Sequence, residues 1–289
     1  MNRWVLGARP RTLPASVVPV LVGTAAAVGA SATGIIWWRA GAALVVSVAI
    51  QVATNYVNDY ADGERGSDRN RVGPTRLVAS GLASAGDVKR AALGAAGVTV
   101  AAGLALAAAV GPELVVVGVA SLAAGYFYTA GPRPYGYAGL GEVFVFVFFG
   151  VVATVGSAYV QLDRLTLLAV GASVPVGLLA TALLVVNNLR DIPSDTAAGK
   201  RTLAVQVGDP VTRTLFVALV AGAFLTLPVL ALARPAALLA LLAAPFAVRP
   251  VRAVAREERG SALVPVLIAT GQLQLGFGVL LALGLALSG

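Results

Sequence analysis

Apolar runs long enough, or nearly long enough, to cross a bilayer recur nine times along the chain. They fall at residues 13–30, 35–58, 88–110, 113–129, 140–160, 165–189, 211–233, 235–251 and 262–287. A membrane-spanning helix needs roughly 20 predominantly apolar residues, so the runs predict an all-α, polytopic membrane bundle of about nine transmembrane helices. Composition agrees: only 12% of residues are charged and 58% are hydrophobic, against about 25% charged in a typical soluble domain. A soluble fold built from this chain would expose large apolar patches. Small residues crowd the runs, as in ALGAAGVTVAAGLALAAA at 92–109, and let membrane helices approach closely. The start, MNRWVLGARPRTLPAS, has no short apolar region with a cleavage site, so no signal peptide is expected.

The eighth run is short and bounded by prolines, and charge decides in its favour. With nine spans, one side of the membrane holds the N-terminus and the loops after spans 2, 4, 6 and 8, and with them 18 of the 21 basic residues. The other side keeps Arg39, Arg164 and Arg234. Cytoplasmic loops carry the excess of Lys and Arg, so the N-terminus is expected in the cytoplasm and the C-terminus outside, in the cell membrane. Topology therefore accounts for the net charge of +8 without nucleic acid.

Two acidic clusters stand out. NYVNDYADGERGSD at 55–68 follows the second run, and NNLRDIPSD at 187–195 ends the sixth. Carboxylates at the end of a membrane helix are costly unless a cation or partner holds them. On a helix Asn55, Asp59 and Asp62 share a face, as do Asp191 and Asp195, with Asn187 and Asn188 one turn earlier. The chain contains neither His nor Cys, which excludes thiolate and His-ligated metal sites and a Ser-His-Asp triad. A metal here must take oxygen ligands, which suits Mg²⁺. Arg65, Arg76, Lys200 and Arg201 flank the clusters and suit a phosphate group. Acids for a metal, bases for phosphate and an apolar bundle behind them imply a substrate with a phosphate head and a long hydrocarbon tail.

Further polar features are less determinate. Tyr126–Tyr137 holds four tyrosines and Arg133; it reads either as an interfacial aromatic belt or as a wall of the reaction site. Glu142 opens the fifth run, and the aromatic stretch 144–149 either faces lipid or lines a tail groove. Arg9 and Arg11 are either cytoplasmic anchors or headgroup contacts. The two halves also echo each other: each passes from an Asn/Asp cluster to a basic residue and a small apolar segment. This suggests an internal duplication, about 1–135 and 136–289, within one membrane domain.

These residues resemble the UbiA superfamily of intramembrane aromatic prenyltransferases. Its NDxxDxxxD and DxxxD motifs match Asn58-Asp-Tyr-Ala-Asp62 and Asp191-Ile-Pro-Ser-Asp195. The third acid of the first motif would fall on Gly66, whereas this chain has Asp68 two places later. ARPRTLPAS, GPTRLVASG, YTAGPRPYGYAGLGEVFVFVFFG and NNLRDIPSDTAAGKRTLAV are most similar to the branch that prenylates 1,4-dihydroxy-2-naphthoate. The resemblance implies a nine-helix bundle whose central cavity opens to the cytoplasmic face and laterally to lipid. It implies Mg²⁺-dependent transfer from a polyprenyl diphosphate to 1,4-dihydroxy-2-naphthoate, with loss of CO₂ and diphosphate. Implied metal ligands are Asn58, Asp62, Asp191 and Asp195, with Asp59 or Asp68 as a further ligand or a base. Arg76, Arg133 and Lys200 would meet the diphosphate, with Arg9, Arg11, Asn55, Arg65, Asn188 and Arg201 also at the substrate. Tyr126 or Tyr128 would flank the reacting carbon. A benzoate- or homogentisate-prenylating enzyme is the nearest rival reading, and a transporter a more distant one.

Overall fold

The computed structural model describes residues 2–31, 34–66, 75–256 and 258–289, and every regular element among them is helical. A short α1, Arg3–Ala8, precedes α2, Pro14–Ala26. Then follow α3, Trp37–Arg65, α4, Ala85–Ala109, and α5, Glu113–Phe127. The second half comprises α6, Gly141–Leu162, α7, Leu167–Ala197, α8, Leu203–Ala231, α9, Pro235–Ala255, and α10, Gly260–Leu287.

Seven of these helices, α3, α4 and α6 to α10, are long and apolar enough to cross a membrane. The chain is an integral membrane protein. The other two expected spans correspond to α2 and α5, of 13 and 15 residues. At 1.5 Å per residue these reach only about 20 Å, short of a hydrocarbon core of about 30 Å. An expectation built on run length counts the flanking apolar loop as helix, and here that loop is not helical.

Local chemistry sets the helix ends. The Ser84, Thr166 and Thr202 hydroxyls accept from the backbone N–H three residues on, in Asp87, Ala169 and Val205, so each satisfies a donor that the first turn leaves open. Gly66 ends α3 at φ 68°, a left-handed position that glycine adopts without penalty. Gly208, at φ 81°, interrupts α8, and the long part of that helix runs on beyond it. The two long acidic helices do not stop at the apolar border. α3 continues through its acids to Arg65, and α7 continues through Pro193 to Ala197. Each carboxylate is therefore held at a fixed angle on a rigid rod.

The largest core joins α2, α7, α8, α9 and α10, with Phe216, Phe277, Leu179 and Leu273 fully buried. α3 packs along α4, and α7 along α8. α6 is not uniform: residues Phe146–Val152 form a π-helix between α-helical ends. The wide turn sets Gly150 against Gly177 of α7, so closely that a Cβ on Gly150 would stand 2.4 Å from the Gly177 Cα. Backbone cannot give way as a side chain can. Gly150→Leu is therefore expected to lower the melting temperature in detergent by several degrees or abolish folding, because overpacking costs about 1–3 kcal/mol even where side chains can move. An unchanged melting temperature would show that α6 and α7 need no close approach.

The three basic residues of the sparsely charged side all pin loops. Arg39 reaches the Ala109 and Val160 carbonyls and Asp163, Arg164 the Ala30 carbonyl, and Arg234 the Val28 carbonyl. The acidic ends of α3 and α7 lie at the opposite end of the bundle.

Candidate functional site

A cavity of about 400 Å³ runs through the first half of the bundle, walled by α2 to α7. One end is polar and is lined by Arg9, Asn55, Asn58, Asp62, Arg76, Asp191, Asp195 and Lys200. The rest is mostly apolar, with Leu104, Leu114 and Val117 on one wall and Phe148, Val152 and Val160 on the other. α5 packs against α3 and α4, while α6 forms the facing wall.

Asp62 is the hub of the polar end. It is buried, and one oxygen accepts from the Lys200 Nζ at 3.1 Å and from the Tyr137 hydroxyl. The other lies 3.5 Å from the Arg76 Nη2. Lys200 also stands 4.0 Å from an Asp195 oxygen, so its ammonium bridges the acids of α3 and α7. Burial by itself would lower the Lys200 pKa, but the neighbouring Asp62, with Tyr137 and Asp195, outweighs it and holds the ammonium above the ordinary lysine value. Tyr137 titrates above an ordinary tyrosine, first through burial and then through the charge of Asp62. Its ring lies under the Lys200 ammonium, 4.6 Å from the centroid, a cation–π contact.

On α7, both Asp191 oxygens accept from the neighbouring Arg190 at 2.7 Å. Arg190 also holds Asn187 Oδ1 at 2.8 Å. Asn58 lines the cavity and accepts from the Thr129 hydroxyl. Asn55 donates to the Ala8 carbonyl at 3.0 Å, and Arg9 approaches the Asn55 carbonyl at 3.5 Å. Arg9 takes a left-handed φ of 54°, which few non-glycine residues adopt; the turn carries its side chain into the cavity wall instead of along α1.

Several expected site residues lie elsewhere. Asp59 is fully buried and absent from the cavity wall; its two oxygens accept from the backbone N–H groups of Leu77 and Val78 at 2.7 and 3.0 Å. Arg65 is exposed and holds the Thr129 and Gly131 carbonyls. Arg11, Arg133 and Arg201 are exposed and not on the wall. Tyr126 is 49% exposed and packs edge-on against Phe127. Asp68 lies outside the described residues.

Other residues enter the site that the sequence left open. Phe144, Phe148 and Phe149 line the cavity, which decides the aromatic stretch in favour of a groove. Phe144 stacks on Tyr135, centroids 3.9 Å apart, and Tyr128 meets Tyr135 edge-on at 5.6 Å. Glu142 is buried and accepts from Asn188 Nδ2 at 2.9 Å. An ionisable residue at the mouth of an apolar run was the signal for it.

Does this end suit Mg²⁺? Among the described residues no three acidic side chains gather at one point. The donors are nonetheless all oxygens, carried by two rigid helices to one cavity end. Mg²⁺ usually takes only one or two carboxylates and completes its shell with water and phosphate. With Arg76 and Lys200 beside them, the residues fit a metal–diphosphate pair rather than a metal caged by protein alone.

Comparison with known proteins places the chain in a family. The sequence profile described as the UbiA prenyltransferase family matches residues 16–269. The chain is 46% identical to the 1,4-dihydroxy-2-naphthoate octaprenyltransferase of Mycobacterium tuberculosis, over 98% of this chain and 97% of that protein. Its fold is similar to that of a UbiA homolog from Aeropyrum pernix K1, with a TM-score of 0.70 at 16% identity over 99% of each chain. A UbiA homolog from Archaeoglobus fulgidus, solved bound to GPP and Mg²⁺, gives a TM-score of 0.63 at 15% identity, over 97% of this chain and 99% of that one.

Proposed function

Because the chain belongs to the UbiA prenyltransferase family, we infer that it transfers a polyprenyl group from a polyprenyl diphosphate to 1,4-dihydroxy-2-naphthoate. The reaction releases CO₂ and diphosphate and gives demethylmenaquinol, a step of menaquinone biosynthesis. The observation that carries this reading is the polar end of the cavity, where Lys200 joins the acids of α3 and α7 above a long apolar chamber. A diphosphate fits the cations and a prenyl chain fits the chamber.

Asp62, Asp191, Asp195 and Asn58 would hold Mg²⁺. Bound there, it would supply Lewis-acid charge neutralisation that makes diphosphate a better leaving group. Arg76 and Lys200 stabilise the negative charge that grows on the departing oxygens, from fixed positions that need no rearrangement. The Tyr128 and Tyr135 rings sit next to the head end and offer π-faces to the allylic cation. The apolar walls keep water from capturing it. The naphthol ring then attacks, and loss of its carboxylate restores aromaticity.

The remaining residues support this frame. Asp59 holds the turn that carries Arg76. Arg65 ties the 129–131 loop to α3. The excess of basic residues at this end favours a cytoplasmic site, with the C-terminus outside, in the cell membrane. The prenyl tail leaves the head group between α5 and α6, which wall opposite sides of the cavity.

The test is turnover by purified protein with 1,4-dihydroxy-2-naphthoate and prenyl diphosphates of graded length. Product and diphosphate are expected with Mg²⁺, and none after chelation. Preference for 4-hydroxybenzoate or homogentisate would overturn the acceptor assignment.

A further inference from the structure

Glu142 is a buried acid whose place in the site no motif accounts for. It is only 6% exposed, and it lies in the first turn of a helix long and apolar enough to cross a membrane. Its Oε1 accepts from Asn188 Nδ2 at 2.9 Å. Its Oε2 is buried without a hydrogen-bond partner among the described residues. A buried carboxylate left half satisfied is costly, which calls for a reason to keep it there.

Its partner supplies one. Asn188 lines the cavity, and α7 carries it one turn deeper than Asp191, with Leu184 a further turn in. The Tyr128 ring stands at the same level: a Cβ on Gly141, next to Glu142, would lie 3.2 Å from Tyr128 Cε2 and 3.4 Å from Leu184 Cδ2. Head group, then Asn188 with Tyr128, then apolar chamber is the order along the cavity. A prenyl diphosphate laid along it puts its reacting carbon just below the head group, so the aromatic acceptor must sit at the Asn188 level. The hydrogen bond runs from the Asn188 Nδ2 to the Glu142 Oε1, so Glu142 takes the NH₂ side of the amide and leaves the carbonyl side for the cavity.

We propose that Glu142 is a positioning residue for the acceptor: it locks the Asn188 amide so that Oδ1 receives a ring hydroxyl of the aromatic diol while Tyr128 covers the ring. This rests on the prenyl-transfer reading above and adds a place and an orientation for the second substrate. The acceptor hydroxyl, a donor, finds an acceptor fixed in advance; an amide free to turn would present its NH₂ half the time and repel it.

The experiment uses the full chain in detergent and measures KM for each substrate separately. Glu142→Leu removes the lock and should raise the KM for dihydroxynaphthoate about tenfold, the size of one net hydrogen bond, with the KM for prenyl diphosphate within about twofold. Asn188→Ala should do the same, and adding it to Glu142→Leu should change little more, since the two act through one contact. Glu142→Gln keeps an acceptor for the Asn188 NH₂ and should restore KM to within about threefold of the parent. Glutamine as damaging as leucine would show that charge is what matters and overturn the lock. Equal rises in both KM values, or none in Asn188→Ala, would overturn it too. If Glu142→Leu does not fold, Glu142→Ala takes its place with the same expectations. Failure of the functional reading itself looks different: the parent protein would then not prenylate dihydroxynaphthoate.

Discussion

Asp62→Asn should lower kcat about a thousandfold, roughly 4 kcal/mol of transition-state stabilisation, while the protein stays folded. The carboxylate meets Lys200 and Tyr137 through one oxygen and Arg76 through the other. Asparagine has the same shape but no charge, so it removes the anion that orders two cations and one phenol around the diphosphate. Losing one preorganised contact of this kind commonly costs 10²–10³ in rate, and here three partners share the same group. The apparent affinity for Mg²⁺ should fall in the same variant, because the metal loses a charged ligand. Rate against Mg²⁺ concentration, with melting temperature as the control, checks both. Turnover near the parent value with an unshifted Mg²⁺ requirement would remove Asp62 from the centre of the site.

Much of that site was legible in the chain. The spacing Asn58–Asp62 and Asp191–Asp195 places side chains on one helical face, and both stretches are helical in the structure. Lys200 follows the second cluster by five residues, and the fold brings it to Asp62, 138 positions away in sequence. What could not be read is which polar neighbours turn inward. Arg65 and Arg201 lie nearer to the motifs in sequence than Arg76 does, and Arg133 sits in the tyrosine-rich segment, yet all three are exposed whereas Arg76 is buried. That sorting depends on the 75–84 turn and the 128–139 loop, whose backbone paths no periodicity encodes. The π-turn of α6 is equally hidden, since it answers to Gly177 on another helix. Helix length was less legible. Hydropathy cannot separate an apolar helix from an apolar turn beside it, so the run at 13–30 reads longer than the 13 residues of α2, and the run at 113–129 slightly longer than the 15 of α5.

Asp59 and Asp62 show how far two similar acids can diverge, and Asp59→Ala is the second large effect expected. The residues lie three apart on α3, and either could serve a metal by spacing alone. In the fold Asp59 is fully buried, and its two oxygens take the N–H groups of Leu77 and Val78. Those donors belong to the turn that brings Arg76 within reach of Asp62. Hydrogen bonds to a charged group contribute about 1.5–3 kcal/mol each. Removing both acceptors and leaving one buried and one half-buried donor unpaired should therefore destabilise the protein by roughly 3–5 kcal/mol. Activity should fall with it, since Arg76 loses its support. Asp59→Asn keeps one carbonyl oxygen for one of the two donors and should lose about half as much stability. The apparent Mg²⁺ affinity separates the roles. For a residue that holds a turn, the folded fraction of Asp59→Asn should need no more Mg²⁺ than the parent, whereas Asp62→Asn should need more. Thermal unfolding alongside Mg²⁺ titration of activity measures both. An Asp59→Asn protein with a native melting temperature and a raised Mg²⁺ requirement would instead make Asp59 a ligand, and would require the 75–84 turn to be held by other contacts.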